Sequence, residues 1–234
     1  MTYRVKLPFA KRHNARPLRI NPTLETKIDL MNPTSQVPPN PVSTWNEYFQ
    51  STRPMPLHPL FGELEPYLPQ TGRAADLGCG VGHAVVWLAE KGWDIDAFDG
   101  HEEALKSLGE RLFAETRSKV ATHHCLLQDA SLAHGQYDLI IAAYSLFFLT
   151  PEQHQVVWNR IYAALKPGGY FLGEFLGVND DWADQMTTHT AEQVTELLSR
   201  YETIYREDVD RDGFVSMGSP KHWHVFHVIA RKPV

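Results

Sequence analysis

The 234-residue sequence predicts an α/β fold, a mostly parallel sheet with helices on both faces and an antiparallel last strand. Three observations predict it. Short apolar runs alternate with helical patterns from residue 73 to residue 200. The first of those runs leads through a glycine-rich stretch directly into a helix. The final two strand-like runs have no helix between them, so they pair antiparallel.

Taken in order, Ser43 caps a helix in which Trp45, Tyr48 and Phe49 share one apolar face before Arg53 and Pro54 end it. A second helical stretch covers Leu57 to Leu68. The alternation then begins with a buried strand, Arg73 to Leu77, and a helix from Val81 to Lys91 that Gly92 stops. Trp93 to Phe98 is a strand, Glu102 to Glu115 a helix, and Val120 to Leu127 and Tyr137 to Tyr144 are strands. Pro151 opens a helix to Leu165 with Val157, Ile161 and Leu165 on one face. Lys166-Pro167-Gly168-Gly169 is a turn, Tyr170 to Phe175 the fifth strand, and Ala191 to Arg200 a helix. Glu202 to Asp208 and Trp223 to Ala230 are the closing pair.

Hydrophobic residues at 43% and charged residues at 21% are the balance of an ordinary globular domain. No apolar run approaches the ~20 residues that span a bilayer, and no basic start followed by an apolar stretch marks a signal peptide. Cys79 and Cys125 cannot build a disulfide framework, so a reducing, cytoplasmic setting is expected. The net charge is −6, unevenly spread: residues 1–40 hold seven basic residues against Glu25 and Asp29, a net +5 that leaves −11 on the rest. Six prolines keep that segment from forming a long helix. Residues 1–42 therefore read as a basic, Pro-rich flexible arm and residues 43–234 as the folded domain. A start at Met31 would make residues 1–30 upstream sequence.

The stretch Ala75-Asp76-Leu77-Gly78-Cys79-Gly80-Val81-Gly82 ends a strand in an acid and opens a helix through glycines. Glycines permit positive φ and close backbone approach, and the helix start offers unpaired N–H groups, which together make a cofactor cradle. Asp99 ends the next strand, placed to accept both ribose hydroxyls of a nucleoside at the switch point of an open sheet. Asp129 ends the third strand, where a carboxylate can accept from an exocyclic amino group. Singly, each acid reads first as a strand-end cap or a solvated turn. In phase on one sheet edge, the three point to a nucleoside ligand. A dinucleotide fingerprint wants its third glycine at position 83, which is His83. Asp76 would repel a pyrophosphate but can hold the ammonium of a zwitterion, which describes a methionine tail better than a nicotinamide dinucleotide.

With Lys166-Pro167-Gly168-Gly169 and the closing hairpin, these motifs resemble class I S-adenosylmethionine-dependent methyltransferases over residues 43 to 232. The resemblance implies a Rossmann-like, seven-stranded, mostly parallel sheet whose last strand inserts antiparallel. It implies S-adenosyl-L-methionine as cofactor, contacted by Asp76, Gly78, Cys79, Gly80, Gly82, Asp99, Gly100, Asp129, Ala130 and Tyr144, with Ala130 against the adenine ring. A narrower resemblance, in Gly177-Val178-Asn179-Asp180-Asp181-Trp182, Thr188-His189-Thr190 and Lys221-His222-Trp223-His224-Val225-Phe226, is to the tellurite-resistance and thiopurine-type methyltransferases of bacteria. It implies a small soft nucleophile or oxyanion as acceptor. A cofactor-binding module without catalysis and a nicotinamide-dependent oxidoreductase are the alternative functions.

Acceptor groups in such a sheet lie outside the carboxyl ends of the parallel strands, in Tyr144 to Phe148 and Glu174 to Trp182. His222 and His224 alternate with Trp223, so both imidazoles point to one face. Two readings stand for this pair: a general base for the acceptor, or hydrogen bonds that pin the hairpin to the loop after Phe175. Glu174 is likewise a base or a strand-end partner for a backbone donor. Trp45 and Tyr48 are either a substrate-side lid or core, and Asp181 and Trp182 are further acceptor-side candidates. Twelve histidines raise the question of a metal, but the fourth strand ends in Ala142-Ala143-Tyr144-Ser145 without an acid, and adjacent His123 and His124 face opposite ways, so no metal is expected. Ala143-Tyr144-Ser145-Leu146-Phe147 lacks the motif of amino-methylating DNA enzymes, and the folded part is acidic. A small-molecule acceptor is expected, without nucleic acid or membrane.

Overall fold

A computed structural model describes residues 45–234. The basic arm expected over residues 1–42, the Met31 start and the Ser43 cap lie outside the described residues. The chain runs α1 (Trp45–Thr52), α2 (Leu60–Leu64), β1 (Arg73–Leu77), α3 (His83–Glu90), β2 (Asp94–Asp99), α4 (Glu102–Arg111), α5 (Ala114–Arg117), β3 (Val120–His124) and β4 (Tyr137–Ala142). It continues through α6 (Pro151–Ala164), β5 (Leu165–Gly177), β6 (Thr188–His189), α7 (Ala191–Leu197), β7 (Glu202–Phe214) and β8 (Pro220–Arg231).

The strand order is β3-β2-β1-β4-β5-β8-β7, with β6 paired to the end of β5. β1 to β5 run parallel, and β8 enters antiparallel between β5 and β7. The expected α/β sheet with an antiparallel last strand is therefore present. It has eight strands rather than seven, because the two-residue β6 pairs with β5 off that path.

Alternation along the strands divides the core between two faces. Leu139, Ile141, Leu172 and Ile229 meet Leu60, Phe61, Leu64, Val85 and Leu88 of α2 and α3 on one face. On the other, Ile140, Phe171, Phe175, Phe226 and Val228 meet Val157, Trp158 and Ile161 of α6. Each such side chain contributes roughly 1.5–3 kcal/mol when taken fully from water. α6 and α7 both start with reciprocal capping boxes, Thr150 with Gln153 and Thr190 with Gln193, which satisfy orphan amides at their starts.

Several boundaries move. α3 begins at His83, not Val81, because Gly80 and Gly82 are left-handed and cannot join a right-handed helix. α4 stops at Arg111, and Leu112 and Phe113 turn extended before α5. The turn Lys166-Pro167-Gly168-Gly169 bulges out of β5: Tyr137 faces Leu165 and Leu139 faces Tyr170. β3 ends at His124, so Asp129 sits in a short 3-10 turn, Leu127–Asp129, and does not end a strand.

Candidate active site

β1 and β2 lie side by side, Leu77 opposite Phe98, and deliver the loop after β1 to the end of β2. Gly78 N–H and Cys79 N–H both donate to Phe98 O, at 2.9 and 3.0 Å. Gly80 N–H donates to Asp99 Oδ2 at 2.8 Å, and His101 N–H donates to Asp99 Oδ1 at 2.9 Å. Two positions leave no room for a side chain. At Gly78, with φ of 80°, a Cβ would lie 2.7 Å from Ser145 Cβ; at Gly82, with φ of 79°, it would lie 2.3 Å from Leu108 Cδ1. The loop thus closes onto the ends of β4 and α4 only because these residues are glycine.

Asp76 and Asp99 are 3% and 6% exposed. Burial, with the Asp99 charge adding to it, pushes Asp76 up to about 7. Burial also raises Asp99, against the two backbone N–H groups that favour its charged form. A carboxylate offers about four acceptor positions, so Asp99 keeps lone pairs beyond those two bonds. The pair forms a buried anionic wall that a cationic or hydroxyl-rich ligand would satisfy. Cys79 is buried, and the same two acids add to the burial that lifts its thiol well above the usual range, so it is no thiolate nucleophile.

Beyond β2, Gly100 O lies 3.0 Å from His124 Nε2, and Cys125 N–H donates to Asp99 O. Asp129 is exposed and Ala130 buried at the end of the 3-10 turn, where Arg160 donates to Gln128 O at 2.6 Å. The turn still brings Asp129 near Cys125, whose thiol it helps to raise after burial. His123 and His124 do diverge: His123 Nε2 meets Asp96 Oδ1 at 3.0 Å and stacks on Phe98.

α1 roofs the loop. Phe49 is buried with Val81 and Ala104, and Trp45 and Tyr48 pack against this cluster. Trp45 also lies 4.7 Å from the His101 ring. Burial, then the Asp99 charge, raises the Tyr48 phenol. His83 ties this roof down, its Nε2 at 3.0 Å from Thr52 O and its Nδ1 at 3.2 Å from Arg111, whose other nitrogen donates to Val81 O.

On the other side of the loop, Tyr144 has φ of 51°, the positive value among described non-glycine residues, and its N–H donates to Glu174 Oε2 at 2.9 Å. Glu174 is 1% exposed and faces His227 across β5 and β8. Sequence reasoning missed His227 and His58. The His58 ring stacks on that of His227 at 5.1 Å and stands 5.9 Å from Tyr144, while Trp223 reaches Tyr144 at 6.0 Å. The face of β8 that meets Tyr144 is thus the one bearing Trp223 and His227.

His222 and His224 occupy the opposite face, a correction to their expected place at the site. His222 bridges Asp210 and Asp212 of β7, at 2.7 and 2.8 Å, and those bonds raise its pKa. His224 Nδ1 accepts from Asn179 N–H at 3.1 Å, and its ring fills the space beside Gly177. Its Nε2 lies 3.3 Å from Asp208 Oδ1, so the His224 ring ties the loop after β5 to β7, whereas the His222 ring bonds only β7. Asp181 accepts from His222 N–H at 2.6 Å, and Trp182 packs on Trp223. Asp180, quoted in the Gly177 to Trp182 motif but given no role there, is the buried anchor of this loop. It pairs with buried Lys221 and accepts from Trp182 N–H and His224 N–H at 2.9 and 3.0 Å. Lys221 is sandwiched by the Trp182 and Trp223 rings.

Residues 74–169 match the family model described as "Methyltransferase domain". That span holds β1, the glycine loop, Asp99, Asp129 and Tyr144. An uncharacterized methyltransferase of Synechocystis sp. is 32% identical over 100 residues, covering 42% of this chain and 44% of that protein. The chain thus spans less than half the length of that curated relative. Among solved structures, TehB from Haemophilus influenzae superposes with a TM-score of 0.64 at 19% identity, over 81% of this chain and 67% of that one. A 1,6-didemethyltoxoflavin-N1-methyltransferase of Burkholderia thailandensis, solved with S-adenosylhomocysteine, gives 0.60 at 18% identity over 83% and 93%. The fold is the one these S-adenosylmethionine-dependent methyltransferase structures share, and residues 74–169 are similar to a methyltransferase domain.

Proposed function

We propose that the chain transfers a methyl group from S-adenosyl-L-methionine to a small-molecule acceptor. The observation that carries this is the pair of buried carboxylates, Asp76 and Asp99, around a left-handed glycine loop. A buried acid lifted to about 7 is costly unless its ligand is a cation, and the ammonium of a methionine tail is one. Asp99 takes the ribose hydroxyls with its remaining lone pairs. Asp129 and Ala130 border the adenine, and Tyr48 closes over the sugar side. A dinucleotide would bring a pyrophosphate to Asp76, and the chain has His83 where its fingerprint needs glycine.

The leaving group of a sulfonium is neutral, so alignment and exclusion of water supply most of the catalysis. Tyr144, Glu174, His227 and His58 wall the acceptor side. A thiol, chalcogen oxyanion or similar soft nucleophile is the favoured acceptor, in keeping with the motifs shared with the tellurite-resistance and thiopurine-type enzymes. The net −11 of residues 41–234 disfavours a nucleic-acid acceptor. Among the described residues, no helix is long and apolar enough to cross a membrane, and two free cysteines suit a reducing cytoplasm.

Calorimetric titration with S-adenosylhomocysteine, with NADH as competitor, tests the cofactor. Binding of the former alone supports the reading, and binding of neither removes it. Acceptor-dependent conversion of S-adenosylmethionine to S-adenosylhomocysteine separates an enzyme from a binding module.

A further inference from the structure

The geometry points to a divalent transition-metal site built by His58, Glu174 and His227, with zinc as the ion its donors suit. The three residues come from the segment before α2, from β5 and from β8, and one ligand atom of each lies within 4.8 Å of the others. Glu174 Oε1 and His227 Nδ1 are 3.4 Å apart. That is long for an N–H···O bond, which prefers roughly 2.7–3.2 Å. It is the separation of two ligands on one tetrahedral ion, since bonds of about 2.0–2.1 Å at that angle set their ends about 3.4 Å apart.

The surroundings support the same assignment. Glu174 is 1% exposed, and no lysine or arginine pairs with it among the described residues. Glu207 stands opposite His227 in the β7–β8 register and adds a second negative field at His58 and Tyr144. The buried Glu174 carboxylate thus faces two imidazoles without a cation among the described residues, while Glu207 is exposed and accepts from Tyr205 O–H. The outer shell is also in place, because Tyr144 N–H donates to Glu174 Oε2 at 2.9 Å and so fixes the carboxylate. Coordination through His58 Nε2 requires a proton on Nδ1. It costs only the 3.3 Å contact in which Nδ1 accepts from Leu60 N–H.

Two imidazoles and a carboxylate suit zinc, and three protein ligands leave a position open. The cluster adjoins the cofactor loop, because Ser145, next to Tyr144, packs on Gly78. On the methyltransferase reading, the open position takes the acceptor. A thiol loses its proton to solvent on binding zinc. The thiolate sulfur then forms its bond to the methyl carbon as the bond from that carbon to the sulfonium sulfur breaks. The electron pair stays on the cofactor sulfur, zinc is unchanged, and the products are a thioether and S-adenosylhomocysteine.

The test is titration of chelator-stripped full chain with Zn²⁺ by calorimetry, and with Co²⁺ by visible absorption. One site per chain is expected, weakened roughly 100-fold or more in Glu174→Gln, His227→Gln and His58→Gln. It should be unchanged in His222→Ala, which removes the exposed cluster of His222, Asp210 and Asp212. A small thiol added to the cobalt form should bring up a thiolate-to-metal absorption band. Circular-dichroism melts show which variants are folded. No zinc binding, or equal binding in all three ligand variants, overturns the site. S-adenosylhomocysteine titration of the same samples separates the two ideas. Cofactor binding without zinc rejects only the metal, and zinc binding without cofactor rejects only the methyltransferase reading.

Discussion

Along β1 and β2, the groups that form the anionic wall are close in sequence, with Gly80 and Asp99 separated by 19 positions and joined by a hydrogen bond at the ends of two paired parallel strands. At the β5–β8 side the partners are remote: Glu174 and His227 are 53 positions apart and meet only through an antiparallel register. The first region is a local device, reusable wherever a strand, a glycine turn and a helix occur together. The second exists only once the sheet has closed. Changes in the first should act chiefly on cofactor affinity, and changes in the second on the fold of the hairpin or on the acceptor.

The largest effect expected at the β5–β8 side is from the anchor, not from an exposed histidine. Asp180→Ala leaves Lys221 buried between two indoles without its paired carboxylate and with only the Asp181 charge nearby, and breaking such a pair by removing one partner costs about 3–5 kcal/mol. It also removes acceptors for Trp182 N–H and His224 N–H. Chemical denaturation of Asp180→Ala beside the double variant Asp180→Leu/Lys221→Met checks this. The double variant should recover much of the loss. Recovery of nothing would show that the backbone bonds, not the charge pair, hold the loop.

On the cofactor side, Asp99→Ala should weaken S-adenosylhomocysteine by more than about 100-fold, since two charge-assisted bonds of about 1.5–3 kcal/mol each are lost along with the loop contact from Gly80. Calorimetry at one pH suffices. Affinity equal to the parent would remove Asp99 from the ribose.

Asp76→Asn should divide stability from binding. A carboxyl lifted from 3.8 to about 7 holds its proton more tightly in the folded state, so folded stability falls as pH rises from about 4 to about 7. The penalty above pH 7 is on the order of 4 kcal/mol as an upper limit. The asparagine variant should therefore melt higher than the parent at pH 8 and converge with it near pH 4. Its cofactor affinity should be lower, and without the parent's rise in affinity as Asp76 loses its proton through pH 7. A variant that melts lower at pH 8 would mean the carboxylate is already compensated in the empty protein.

The same contrast accounts for what could be read from the chain. The glycine loop, Asp76 and Asp99 were legible because strand, turn and helix signals sit on adjacent residues. Asp129 was assigned to a strand end and lies instead in a 3-10 turn, which leaves no period to read. Thr188–His189 is too short to show an alternation, so β6 went unseen. The hairpin histidines posed a choice of parity. Lys221 to Phe226 alternates equally well either way, and His222 with His224 drew attention to the even face. His227 and Trp223 share the odd one, and only the pairing of Glu174 with His227 decides between them. His58 lies in a plain His-Pro-Leu loop, and no local signal marks it.

The smallest effect expected separates pinning from catalysis at His222. Its imidazole is raised by bonds to Asp212 and Asp210, so the folded protein favours the charged form. Any stability it adds is present below its unfolded pKa of about 6.5 and is lost as pH rises through the higher folded value. His222→Ala should then melt slightly below the parent at pH 5.5 and with it at pH 9, and added salt should shrink the acid-side gap because all three groups face water. Turnover should not change at any pH, because the face that His222 occupies is turned from Tyr144. A fall in kcat with the melting curve unchanged would reverse the assignment of faces and restore His222 as the base.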